Sequence, residues 1–186
     1  MITMKNKVLL ACTLVLAAMT TRFIPHWPNF TAVGAVALFG GAFFKKGYWG
    51  FIFPAAALYL SDLLLNNLVL AEYYEGFQWF TPGFYYMYAA FFLTVLIGRY
   101  AINSHKIAGI FGGGLSSALV FYLITNFGAW LGNPAYPQNL GGLVTSYMAG
   151  LPFLTYQALG TVFYSALIFG AAYAFWPAFR KNLKLA

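Results

Sequence analysis

Apolar residues fill this chain in long blocks separated by short polar gaps. Blocks of that kind predict helices that are apolar on every side, as helices inside a bilayer are. The first runs from about Val8 to Thr21 and reads as an anchored helix rather than a cleaved leader, because further blocks follow. The second, Thr31 to Phe44, would rise only about 21 Å as a helix, short of the roughly 30 Å hydrocarbon core. It is therefore either tilted with its ends buried in protein or begins below the outer surface. The third runs from Tyr48 to about Leu65, the fourth from Phe84 to Ile102, the fifth from Ile107 to Leu131, and the sixth from Phe153 to Trp176. The expected fold is an all-α integral membrane protein, six transmembrane helices forming one domain over residues 1–186.

The gaps differ in character. Arg22 to Phe30 contains Pro25 and Pro28, which disfavour helix around themselves and predict an ordered extended turn. That turn is expected to fold back over the bundle and bury Trp27 and Phe30. Asn66 to Pro82 is aromatic-rich and carries Glu72 and Glu75, while Asn103 to Lys106 is a short turn. Gly132 to Gly142 reads as a loop, followed by a short helix over Val144 to Ala149.

Charge orients these elements. Lys5 and Lys7, Lys45 and Lys46, Arg99 and Lys106, and Arg180, Lys181 and Lys184 fall in alternate gaps. The other gaps hold Arg22, Glu72 and Glu75. Lys and Arg near span ends are retained on the cytoplasmic side, so both termini are expected to be cytoplasmic and the span count even. With 62% hydrophobic and 7% charged residues, the net charge of +7 is explained by topology. A soluble domain usually carries about 25% charged residues. Nothing forms a basic patch interleaved with aromatics, so no nucleic-acid partner is expected.

The lone cysteine, Cys12, excludes an intramolecular disulfide and reads as a small apolar packing residue. Small residues recur at helix-contact spacing in Ala37 with Gly41, Gly109 with Gly113, and Ala166 with Gly170 and Ala174. Packing inside the bundle is the preferred reading of these faces over a subunit interface.

Polar groups collect at one level. Asp62 is the one acid inside a predicted span, about one turn below the outer surface, and an acid there marks a functional site by default. Arg22 and His26 lie at the same level, and Asn126 lies in the outer third of the fifth span. These four are expected to line or support one outer pocket for a small organic ligand, with Trp27, Asn29 and Trp130 beside them. The plainer alternatives are an architectural Asp62–Arg22 pair, a His26 that only bonds a backbone carbonyl, and an Asn126 that joins two helices. Most outer aromatics, including Trp79, Tyr85, Tyr86 and Tyr136, read as an interfacial belt.

Catalytic patterns are missing. The chain has no zinc-type His/Glu pair at helical spacing, no glycine-rich phosphate loop with a lysine, and no nucleophile elbow. His26 and His105 are expected on opposite sides of the membrane and cannot share a metal. No enzyme activity, cofactor or metal is expected, and uphill transport would need a partner or an ion gradient.

Arg22–Phe44 (RFIPHWPNFTAVGAVALFGGAFF), Pro54–Leu65 (PAAALYLSDLLL), and Phe121–Leu131 with Leu151–Gly170 resemble a family of uncharacterised bacterial six-helix membrane proteins. That family is in turn similar to the substrate-binding S components of energy-coupling-factor vitamin transporters. The resemblance implies a multi-pass protein of the bacterial cytoplasmic membrane that holds a vitamin or related micronutrient near its outer face. It also implies a shared transmembrane coupling subunit with two ATPases as partners. A structural or accessory subunit of a larger membrane complex is the alternative.

Overall fold

The computed structural model describes residues 4–44, 47–102 and 107–175, and the regular elements within them are all helical. They are α1 (Met4–Phe23), α2 (Val33–Phe43), α3 (Trp49–Leu64), α4 (Phe84–Ala101), α5 (Ile107–Gly132) and α6 (Leu140–Phe175). A π-helical turn, Leu65–Val69, continues α3, and a single 3-10 turn, Ala71–Tyr73, follows it. Lys45, Lys46, His105, Lys106 and the basic tail of Arg180, Lys181 and Lys184 lie outside the described residues.

Each apolar block became a helix, but among the described residues only three helical stretches are long and apolar enough to cross a bilayer. They are Trp49–Val69, Ala108–Gly132 and Leu140–Ala174. The expectation of six such spans is corrected on length and composition. The apolar part of α1 is Leu9–Phe23, and the 11 residues of α2 rise about 16 Å. At 18 residues α4 is longer, but Tyr85, Tyr86, Tyr88, Arg99 and Tyr100 dilute its apolarity.

The second block starts later than expected, at Val33, because Thr31 and Ala32 still belong to the turn before it. Every residue from Val33 to Gly41 is buried, and α2 touches each of the other five α-helices. A helix apolar all round belongs inside a protein, and α2 is the buried axis of this one. Its contact with α4 is backbone on backbone. A Cβ on Gly41 would overlap the Val95 carbonyl, and one on Gly98 would overlap the Leu38 carbonyl. Such close approach is how helices associate where the hydrophobic effect is weak.

The other small-residue faces divide. Gly113 is buried against Ile97 and Ile102 of the α4 end, whereas Ala166, Gly170 and Ala174 lie on the exposed side of α6. Internal packing is therefore the wrong reading for the α6 stripe. Cys12 is exposed too, on the outside of α1 rather than packed within.

The short helix and the sixth span are one continuous helix of 36 residues that passes through Pro152. Along α5, Leu115, Leu119, Leu123, Phe127 and Leu131 recur at every fourth residue and are all exposed, as are Leu159, Phe163 and Leu167 on α6. A soluble surface rarely carries so continuous an apolar stripe.

Candidate functional site

The turn after α1 is held by local bonds and by α6. The Phe30 amide donates to the Trp27 carbonyl at 3.0 Å, and the Thr31 amide donates to the Asn29 carbonyl at 3.0 Å. Asn29 sits at φ 63°, a left-handed conformation that asparagine tolerates better than most residues. Trp27 stacks on Tyr156 with ring centroids 5.5 Å apart, and Phe30 packs on Phe163 and Tyr164 at 5.8 and 5.6 Å. Gly160 lies between those contacts. A Cβ there would stand 2.9 Å from the Phe30 Cα, so the turn rests directly on the α6 backbone. The segment does fold back as expected, yet Trp27 remains 60% exposed, with one ring face covered. It is a strap across the end of the bundle rather than a buried plug.

Arg22, in the last turn of α1, reaches α3. Its Nη1 lies 2.5 Å from Asp62 Oδ1 and donates to Ser61 Oγ at 2.6 Å. Thr81 hydrogen-bonds Asp62 from the segment after α3 and accepts from Asn66 Nδ2 at 2.9 Å. The same segment is pinned by Asn67, whose Nδ2 donates to the Gln78 carbonyl while its Oδ1 accepts from the Gln78 amide, both at 2.8 Å. This is a part-buried network in which the acid is paired with Arg22 and also bonded by Thr81, an arrangement that offsets the cost of burying its charge.

Beside Arg22 a cleft with a cavity volume of about 160 Å³ opens above the N-terminal end of α2. Arg22, His26, Asn29, Thr31 and Gln157 supply its polar surface. Leu58, Leu65, Met87, Phe91 and Phe121 supply the apolar wall, and Val33 and Gly34 form the floor. Phe91 and Phe121 meet edge to face, centroids 5.4 Å apart. His26 Nδ1 is 2.6 Å from the Trp27 carbonyl; since a carbonyl only accepts, the proton sits on Nδ1. Leu65 enters the wall where α3 passes into its π-helical turn, a distortion frequent at functional sites.

Of the expected site residues, Arg22, His26 and Asn29 line this cleft. Asp62 does not; it stands behind Arg22 as its counter-ion. Asn126 lines a smaller adjoining cavity of about 10 Å³ that shares Asn29, Phe121 and Gln157 with the cleft. Its Nδ2 donates to the Tyr122 carbonyl at 2.8 Å, and its side chain fills the space where a Cβ on Gly150 would lie. Asn126 is thus a helix-packing residue first. Trp130 does not reach the cleft: its Nε1 donates to the Pro137 carbonyl at 2.9 Å and ties down the loop before α6.

The residue that sequence reasoning missed is Gln157. It is 8% exposed, borders both cavities, and among the described residues its amide has no hydrogen-bond partner. The signal was present, since an amide inside an apolar block costs free energy unless it serves something. Thr161 and Ser165 follow it at four-residue spacing on the same buried side of α6.

Among the described residues, no three His, Cys, Asp or Glu side chains come together as a metal site would require. No curated protein and no solved structure matched the chain. One family model did match, over residues 2–182, and by that match the chain belongs to the DUF6580 family of unknown function.

Proposed function

We propose that this protein is a membrane-embedded binding and uptake component for a vitamin or related small organic micronutrient, with the ligand held in the cleft at the Arg22 end. The observation that carries the reading is the cleft itself: a concave site with an apolar aromatic wall and a few convergent polar groups, roofed at one side by an anchored strap. Ligand sites have this composition, with buried apolar area giving affinity and polar groups fixing orientation.

In this reading all six helices lie within a bacterial cytoplasmic membrane, both termini are cytoplasmic, and the cleft faces outward. Three long apolar helices and the exposed leucine stripes of α5 and α6 support placement in a membrane. The 11-residue α2 fits because it is enclosed by protein and needs no lipid contact of its own. The likeness to S components of vitamin transporters adds a transmembrane coupling subunit with ATPases as the class of partner. The exposed Ala166, Gly170 and Ala174 face favours a helix–helix contact outside the chain, which either that partner or a larger complex would supply.

The test is a thermal-unfolding screen of the full chain in detergent against a panel of vitamins and their precursors. A ligand at about 100 times its Kd stabilises by about 2.7 kcal/mol, a shift of several degrees. A panel in which nothing shifts the midpoint would leave the accessory-subunit reading ahead.

A further inference from the structure

The chemistry around the cleft narrows what it accepts. At its floor, α2 begins at Val33 with no side-chain cap, and the cap residue is Ala32. The Ala32 amide is taken, donating to Thr21 Oγ1 at 3.0 Å, but the first-turn amides of Val33 and Gly34 have no intrahelical acceptor. This end of the helix is buried, so its partial positive charge is poorly screened. A helix end alone would say little. Here Gln157, nine-tenths buried and without a partner among the described residues, faces the same space.

Charge points the same way. Arg22 spends Nη1 on Asp62, Ser61 and the Leu58 carbonyl, while Nε and Nη2 have no partner among the described residues. No carboxylate lines the cleft, and Glu72 and Glu75 are exposed on the segment beyond α3. Asp62 neutralises the Arg22 charge, so what favours an anion on this polar side is the excess of N–H donors over acceptors together with the α2 N-terminus. Opposite, Phe91, Phe121 and Met87 form an apolar wall. The volume of about 160 Å³ is close to that of an engineered cavity of about 150 Å³ known to hold benzene.

We propose that the cleft takes a single-ring carboxylate, with the ring against Phe91, Phe121 and Met87 and the carboxylate at the α2 N-terminus between Arg22 and Gln157. The inference rests on the cleft being the binding site, and it specifies the ligand class for that site.

The probes are benzoate, its neutral isostere benzamide, and benzylamine, measured by calorimetry on the full chain in phosphatidylcholine nanodiscs. Benzoate should bind at least tenfold tighter than either of the others. Gln157→Met should weaken benzoate about tenfold, the loss of one bond to a charged group, should weaken benzamide less, and should not lower the midpoint of the free protein. Benzamide or benzylamine binding as tightly as benzoate would overturn the anionic head, and if Thr31→Phe then abolished binding, the cleft reading would survive alone. Benzoate binding that is indifferent to Gln157→Met would overturn the placement. Loss of benzoate binding in phosphatidylglycerol nanodiscs would assign the donors to lipid phosphate and overturn the proposal. If no ring compound binds at millimolar concentration while the vitamin panel yields a ligand, the ligand class alone falls; if the panel also fails, both fall.

Discussion

The Arg22 guanidinium lies 2.5 Å from the Asp62 carboxylate, and through that contact the end of α1 is fixed to α3 at the rim of the cleft. The Asp62 side chain is 7% exposed and that of Arg22 19% exposed, so each offsets much of the cost of burying the other's charge. Asp62→Ala strands a partly buried cation and should destabilise by about 3 kcal/mol, measured by unfolding in micelles. The double change with Arg22→Ala should cost less than the two single changes added. Strict additivity would mean the pair is not coupled.

The strap depends on Gly160. A larger residue there meets the backbone of Phe30 rather than a flexible side chain, so the turn must lift. Gly160→Leu should cost about 1–3 kcal/mol and raise hydrogen exchange across residues 24–31 while the interior of α2 stays protected. Unchanged exchange in the turn would show that the strap is not held by α6.

Asn67 replaces a pair of backbone bonds for the segment beyond α3. Asn67→Ala removes its bonds to both backbone groups of Gln78 and should destabilise by about 1–3 kcal/mol. The expected signature is faster proteolysis within residues 70–80, since Tyr73, Phe77 and Trp79 are already exposed. Equal cleavage of variant and parent would contradict the pinning role.

The alternation of basic gaps makes a topological prediction. Cysteines engineered near Glu75 and Asn139 should label from outside intact cells, and cysteines at Lys46 and Lys181 should not. Labelling at Lys46 from outside would invert the orientation and put the cleft on the cytoplasmic face.

Much of this architecture was legible because the signals were physical extremes. Long apolar blocks have few alternatives to helix in lipid, so each became one. Asp62 needed a counter-ion, and Arg22 was the base at its level. Asn29, Arg22 and His26 reached the cleft because the proline-bounded turn had to cross the end of the bundle. The continuity of α6 was not legible, because Gly141, Gly142, Gly150 and Pro152 read locally as helix breakers. Their penalty is offset by neighbours: Gly142 makes room for the Pro137 carbonyl, and Gly150 makes room for Asn126. Neither contact leaves a local pattern. Trp130 does not line the cleft for a related reason, its indole N–H being claimed by a loop carbonyl. Gln157 was overlooked as one polar residue in an apolar block, although its amide borders the cleft with no hydrogen bond to any described residue.

Native mass spectrometry of the chain extracted from its own membrane in mild detergent tests the central claim, that the cleft holds a small organic molecule. The account predicts a non-lipid adduct on the parent protein that is lost in Thr31→Phe, a substitution that fills the cleft, while the unfolding midpoint is retained. An adduct carried equally by both proteins, or none on either after the membrane has been supplied with the vitamin panel, would contradict it.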